Sequence, residues 1–436
     1  MAARLFFYMV YFLSPALPIA AVYFSNPEKY QNPHFAASLI LGAAAYTWLV
    51  FEFVLGARPR WIEKYFGMDR LYRFHGVMAV IALALAFLHQ GALDHLIRAH
   101  EVREYGEMAW NLFVIVVVIT LLLMVDSFLV KIKPVQWIRK LFTMIRLFRY
   151  EYFVVIHNLT IIALAVLLVH VLLTDAAQAN LPVRVVYISY FAVGALWYLY
   201  HRFVKRLIPG RKMFAVHRIN QESPNTWSIE FKPLKGNGIQ FRPGQFGFFR
   251  ILNRGIISEE HPFSISSAPM PDGSVTATIK ELGDFTSKIG VVKPGSRALI
   301  DAPYGAFSYL DYPDEKNVFL VSGGVGITPS LSMLRYMREK DRDRNVTLLW
   351  GANNQSDLIH PDEFALMQKE MKNFRLVPVL FRDESWSGEK GVIDQARIES
   401  VLARSGYDAG ETGFYICGPA PMLGPVLKAL KRIGVK

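Results

Sequence analysis

The first 205 residues hold six apolar runs, at 5–23, 35–55, 72–90, 109–130, 152–173 and 183–201. Each is close to the ~20 residues a helix needs to cross the hydrocarbon of a bilayer. Lipid offers no partner to a free peptide group, so such runs are expected as a packed bundle of helices. The first run contains Pro15 and Pro18 and no small-residue cleavage site. It is therefore read as a membrane helix and not as a cleaved leader.

The net charge of +12 follows the same division. Arg58, Arg60, Lys64 and Arg70 lie between the second and third runs, and Lys131, Lys133, Arg139, Lys140, Arg146 and Arg149 between the fourth and fifth. Arg202, Lys205, Arg206, Arg211 and Lys212 follow the sixth. Every second connection is basic, the bias of cytoplasmic loops. This predicts cytoplasmic termini and anionic lipid, not nucleic acid, as the partner of the charge; the expected location is a bacterial inner membrane. The connection at 91–107 carries Asp94, Glu101, Glu104 and Glu107 against Arg98 and Arg103, and is expected as an outer polar loop. At 131–149, Trp137, Leu141, Ile145 and Phe148 alternate with cations at helical spacing. An amphipathic helix on the inner headgroup surface is expected there.

From Met213 the pattern changes. TWSIEF, FGFFRI and VTATIKE alternate as strands do, and Pro243-Gly244, Pro271-Asp272-Gly273 and Pro294-Gly295 read as turns. NVFLVSGG, VTLLWG, FRLVPVL and GFYICG read as buried strands with helices between them, one starting near Pro329. The expected fold is a multi-domain membrane protein. A six-helix transmembrane bundle (1–208) precedes a small antiparallel β-barrel (209–312) and an α/β domain with an open parallel sheet (313–436), which the motifs below mark as flavin-binding and nucleotide-binding.

Two apolar runs carry histidines: His75 and His89 on the third, His157 and His170 on the fifth. Imidazole buried without a partner costs free energy. Both runs cross in the same direction, so His75 and His157 share an inner depth and His89 and His170 an outer one. Fourteen residues return to within about 40° of one helix face and rise about 21 Å. The thirteen residues between His157 and His170 do not, so a kink or π-bulge is expected in the fifth span. Two levels of paired imidazoles suit two stacked b-type haems, each with one axial nitrogen from either helix. Gly76 and the alanines at 79, 82, 84 and 86 leave room for a flat macrocycle. Polar contacts between helices are the competing reading, and the levels are too far apart for one zinc site. His34, His95, His100 and His201 are read as surface residues. The single cysteine, Cys417, excludes disulfides and cysteine-ligated clusters within the chain.

The stretch HPFSISSAP (261–269) follows FRPGQFGFFRI and precedes GDFTSKI (283–289) and DAPYGAF (301–307). Together they resemble the flavin barrel of the ferredoxin–NADP⁺ reductase superfamily. With both histidine pairs, the whole chain resembles the membrane ferric reductase and NADPH oxidase family. The resemblance implies that His261, Pro262, Phe263 and Ser264 line FAD, with Ser264 near flavin N5, and that Gly283, Thr286 and Gly305 complete the site. In VSGGVGITP, the residues Gly323, Gly324, Gly326, Thr328 and Pro329 match the dinucleotide loop, which follows a strand and opens a helix. In CGPAPM, the resemblance sets Cys417, Gly418 and Pro419 beside the nicotinamide. Ser264 and Cys417 are the expected catalytic positions.

After the second nucleotide-domain strand the chain reads GANNQSDLIHPDEF, without arginine. NADH is therefore as credible a donor as NADPH, with Arg335 and Arg382 the candidate cations for a 2′-phosphate. The resemblance also implies a further strand and a terminal aromatic beyond LKRIGVK. Either this protein lacks them or the sequence is truncated.

The activity expected is transfer of electrons from cytoplasmic NAD(P)H through FAD and two haems to an external acceptor. Oxygen, giving superoxide, is the first choice. A ferric or cupric chelate, or a partner redox protein docking at the outer face, are the alternatives.

Overall fold

The computed structural model describes residues 2–93, 100–123, 132–144, 150–204, 212–252 and 259–435. The chain divides into two compact units, Met1–Leu207 and Ile208–Lys436.

In the first unit, six segments among the described residues are long and apolar enough to cross a bilayer: Ala3–Ser25, Pro33–Gly56, Met68–Ala92, His100–Leu123, Val155–Leu172 and Leu181–Leu199. The first is broken into α1 (Ala2–Leu13) and α2 (Ala16–Ser25). Pro15 has no N–H to continue the ladder, and the Ser14 hydroxyl donates to the Tyr11 carbonyl at 2.7 Å. Then follow α3 (Pro33–Gly56), the short α4 (Arg60–Phe66), α5 (Met68–Leu93) and α6 (His100–Leu123). The amphipathic α7 (Lys133–Met144) leaves Trp137 exposed, as its pattern requires. Ile145 and Phe148 lie outside the described residues. After α8 (Tyr150–His157) and α9 (Thr160–Leu172), the short α10 (Asp175–Ala179) leads to α11 (Leu181–Leu199). Tyr46, Leu49, Val50 and Phe53 of α3 form the centre of the bundle against Ala82, Phe113, Ala163 and Tyr187. Outward residues such as Phe24 and Leu196 stay exposed, as a lipid-facing surface requires.

Two sequence expectations meet this bundle. The fifth span is interrupted at Asn158-Leu159, by tightened turns and not by a π-bulge. Amides of Asn158, Leu159, Ile161 and Ile162 bond three residues back, at 3.0–3.1 Å. Each such step turns the chain about 120° instead of 100°, and about four of them recover most of the angle by which His157 and His170 would miss one face. The outer connection at 91–107 is not a loop throughout. From His100 it is helix, because its charges fall at i,i+4: His100 with Glu104 (3.1 Å) and Arg103 with Glu107 (2.7 Å). His34 and His100 are exposed. His201, expected at the surface, is half-buried, its ring 4.9 Å from that of Trp197. His95 lies outside the described residues.

In the second unit, a six-stranded antiparallel sheet comprises β1 (Lys212–Ser223), β2 (Thr226–Pro233), β3 (Phe246–Leu252), β4 (His261–Ser264), β5 (Val275–Lys280) and β6 (Arg297–Tyr304), in the order β4-β3-β6-β1-β2-β5. An Ile265–Ala277 bridge joins its two edges, so the sheet curls into a barrel around Phe214, Phe231, Phe249 and Ile279. The parallel sheet follows: β7 (Asn317–Gly323), β8 (Asn345–Ala352), β9 (Phe374–Leu380), β10 (Glu389–Lys390) and β11 (Thr412–Cys417), in the order β10-β9-β8-β7-β11. Its strands alternate between two buried faces. Val318 and Leu320 pack under α12 (Ile327–Lys340) and α13 (Pro361–Glu370). Phe319 and Val321 pack under α14 (Gln395–Ser405) and α15 (Ala420–Ile433). The chain moves outward from β7 on one side and then returns to its other side with β11. The crevice between the ends of β7 and β11 is therefore a topological switch point, where such sheets bind ligands.

Candidate functional site

The helices bring the four intramembrane histidines together as two pairs. The rings of His75 and His157 have centroids 6.2 Å apart, and those of His89 and His170 6.3 Å. Every one of the four Nδ1 atoms is engaged away from its partner ring. His75 Nδ1 lies 2.5 Å from Glu52 Oε2. His89 Nδ1 lies 2.9 Å from both the carbonyl and the hydroxyl of Ser38. His157 Nδ1 lies 3.2 Å from the Thr120 hydroxyl, and His170 Nδ1 2.8 Å from the Val102 carbonyl. This is how ligating histidines are held: one nitrogen fixes the tautomer and leaves Nε2 for a metal. A metal midway, with bonds of about 2 Å to each Nε2, separates the ring centroids by roughly 6 Å.

Two glycines make room for these rings. A Cβ on Gly42 would fall 2.7 Å from His89 Nδ1, and one on Gly106 would fall 2.9 Å from His170 Nδ1. Each glycine lies one helical turn after the residue that anchors the ring, Ser38 or Val102. The same step leads from Glu52 to Gly56, whose Cβ would meet His75 Cε1 at 3.9 Å. Sequence reasoning found the histidines and missed this support. The i,i+4 spacing of anchor and glycine was the available signal. Among the described residues, no group of three or more His, Cys, Asp or Glu side chains converges on an ion. A metal with its equatorial ligands supplied by a macrocycle fits two nitrogens per level.

In the second unit, β4 pairs with β3, setting Ser264 opposite Phe246 and His261 opposite Phe249. Side chains alternate along a strand, so the four residues of HPFS do not form one surface. His261 stacks on Phe285 at 4.0 Å, with Phe263 beside the same ring. Pro262 and Ser264 fall on the other side, Pro262 exposed. Gly305 has φ +94, and a Cβ there would meet the Phe246 ring at 3.1 Å, so Ser264, Phe246 and Gly305 are neighbours. The amides of Leu282 and Gly283 both donate to the Thr286 hydroxyl at 2.9 Å. Both N–H groups thus turn onto one oxygen, which here is the chain's own Thr286 hydroxyl.

The two nucleotide-domain motifs meet at the crevice. Cys417 ends β11 opposite Ser322 of β7. A Cβ on Gly326 would fall 2.5 Å from the Cys417 carbonyl, so only glycine lets the two loops close. Gly323, Gly418, Pro419 and Met422 pack together beside them. Thr328 and Pro329 are buried in the first turn of α12, the Thr328 hydroxyl donating to the Val325 carbonyl at 3.0 Å.

Arg335, a candidate cation for a 2′-phosphate, is engaged within the protein. Its guanidinium bonds Glu363 through Nε (2.8 Å) and Nη2 (2.6 Å), and its Nη1 donates to the Ser266 carbonyl at 2.8 Å. With the Ser332 hydroxyl on the Ser267 carbonyl at 2.7 Å, it ties α12 to the flavin motif. Arg382 is exposed, and its backbone amide donates to the Asn353 carbonyl at 2.8 Å, beside the GANNQ loop. Burial pushes the Glu363 carboxyl up, but the Arg335 guanidinium outweighs it and holds the group below its ordinary 4.5. A depressed carboxylate stabilises the fold above the unfolded value, and that contribution drains away as pH falls through the lower folded one. The difference in thermal midpoint between wild type and Glu363→Gln is therefore expected to be constant at neutral pH and to shrink below 4.5.

Residues 41–168 match the family described as ferric reductase like transmembrane component, 211–308 an FAD-binding domain, and 320–428 the oxidoreductase NAD-binding domain. The reductase component of propane 2-monooxygenase from Mycolicibacterium smegmatis is 28% identical over 221 residues, 49% of this chain and 62% of that protein. The gamma subunit of sulfhydrogenase 1 from Pyrococcus furiosus is 27% identical over 53% of this chain and 80% of its own length. The flavohemoprotein of Deinococcus radiodurans is 31% identical over 51% of this chain and 56% of its length. The chain thus spans less than two thirds of the first and third of these relatives. Among solved structures, the FAD/NAD-binding domain of a nitric oxide dioxygenase from Vibrio cholerae superimposes with a TM-score of 0.46, at 23% identity, over 52% of this chain and 94% of that one.

Proposed function

Because this chain is a ferric-reductase-like transmembrane domain fused to an FAD/NAD-binding oxidoreductase module, the architecture of the membrane ferric reductases and NADPH oxidases, we propose that it carries electrons from NAD(P)H across the membrane. The route is FAD, then a haem held by His75 and His157, then one held by His89 and His170, then an external acceptor. The observation that carries this reading is the pair of matched ring separations, 6.2 and 6.3 Å, with all four Nδ1 atoms anchored.

When bound, FAD supplies the conversion of a two-electron hydride into single electrons, and two bis-histidine haems supply one-electron relays with no open coordination position. The chain's own residues bind and orient. Glu52, Ser38, Thr120 and Val102 aim the four imidazoles. The Leu282 and Gly283 amides would exchange their bonds to the Thr286 hydroxyl for a phosphate oxygen of the flavin, and Ser264 would lie at the flavin ring. The start of α12 receives the nicotinamide cofactor's pyrophosphate, and Cys417 lines the hydride path. Arg382 is the remaining candidate for a 2′-phosphate. The segments 1–208, 209–312 and 313–436 divide these tasks, with both termini cytoplasmic on the evidence of the basic connections.

Oxygen reduced to superoxide is the acceptor we favour. The ferric reductase match over 41–168 supports a second reading, a metal chelate. The test is anaerobic reduction of detergent-purified protein with NADH or NADPH, followed by its visible spectrum, with haem and flavin quantified. Two b haems and one FAD per chain, with both haems reduced, are expected; absence of haem defeats the reading. Air with a superoxide probe, against ferric chelate with a ferrous probe, then separates the acceptors.

The glycines give a selective check. Gly42→Ala and Gly106→Ala each push on one ring of the outer pair. Either is expected to lower haem content from two towards one while the inner haem stays.

A further inference from the structure

The four ring anchors differ in charge. His89 and His170 lean on neutral groups of Ser38 and Val102. His157 leans on the Thr120 hydroxyl, which itself donates to the Val116 carbonyl at 2.8 Å. Among the described residues, His75 alone of the four meets a carboxylate. Glu52 is 6% exposed, and its other oxygen accepts from the Tyr11 hydroxyl at 2.8 Å, with Tyr11 wholly buried. Nothing in an electron relay requires an acid at this position, and a helix interior within a membrane is a costly place for one.

We propose that Glu52, steadied by Tyr11, sets the potential of the haem held by His75 and His157 below that of the haem held by His89 and His170. An Nδ1–H bond to a carboxylate makes imidazole a stronger donor. A stronger donor and a nearby negative charge both favour ferric over ferrous iron, and so lower the potential. Burial keeps that charge from being screened. The asymmetry makes the step from the inner to the outer level downhill. The inference rests on the haem reading above and concerns residues that reading uses only as supports.

The test is a spectroelectrochemical titration of the purified holoprotein, with haem counted in each sample. Wild type is expected to reduce in two one-electron steps. Glu52→Gln keeps an acceptor for Nδ1 and removes the charge. It is expected to raise the lower step at least tenfold in equilibrium constant, which is 59 mV for one electron, leaving the higher step in place. Tyr11→Phe removes the hydrogen bond that steadies the Glu52 carboxylate, so the lower step is expected to rise here too, by less than in Glu52→Gln. A purely structural role does not confine the shift of both variants to the lower step. If Glu52→Gln loses a haem, Tyr11→Phe decides alone, and an unmoved lower step overturns the proposal. Two bound haems with unshifted steps, or a shift confined to the higher step, also overturn it. Wild-type protein without haem overturns the functional reading itself, so the two failures are distinct.

Discussion

Replacing His89 by leucine is expected to leave one haem per chain and to bring external acceptor reduction to background. The His89 ring is held by Ser38 and backed by Gly42, and among the described residues its partner imidazole at that depth is His170. Leucine fills the space with no nitrogen, so on the proposed reading the haem there would lose one of its two ligands. His75→Leu is expected to remove the other haem, and the double variant both. The reductase unit, Ile208–Lys436, is a separate compact body, so NAD(P)H oxidation by a soluble dye is expected to persist in all three. Haem by the pyridine haemochrome spectrum and dye reduction in the same preparation check both halves. Two haems per chain in His89→Leu would sink the assignment of ligands.

Arg335→Ala is expected to destabilise the reductase unit by about 2 kcal/mol, the cost of stranding a half-buried carboxylate and a carbonyl that have lost their partner. The side chains of Arg335 and Glu363 are 19% and 23% exposed, so the loss is set below that of a fully buried pair. For a unit of this length that is about 5 °C in thermal midpoint. Because Arg335 also holds the Ser266 carbonyl, flavin release, followed by its fluorescence on heating, is expected to shift with it. Arg335→Lys keeps the charge and loses the two-pronged fit to Glu363, so it is expected to fall between. An unchanged midpoint in Arg335→Ala would show that α12 is fastened to the flavin motif by Ser332 and packing alone.

Much of this molecule is written in short-range pattern. Run length and apolar content determine the spans, because a bilayer tolerates only helices that satisfy their own peptide groups. Alternation and turn residues determine the barrel and the parallel sheet, and the depth of His75, His89, His157 and His170 follows from counting along two spans. Thirteen is the wrong number for one face, so paired histidines require a break in the fifth span, but its place at Asn158-Leu159 and its tightened turns come from the structure. What counting along the chain does not reach is whatever depends on a second element. Glu52, Ser38, Thr120 and Val102 matter only because α3 and α6 bring them to the back of an imidazole on α5, α8 or α9. Val102 also lies in a stretch whose charges read as loop and whose i,i+4 pairs make helix. Arg335 reads as a free cation for a phosphate, and it is the proximity of Glu363 and Ser266, 28 and 69 residues away, that commits it to a seam. Periodicity reports what one element does for itself; the partner of a polar atom is a property of the packing, and only the tertiary structure decides it.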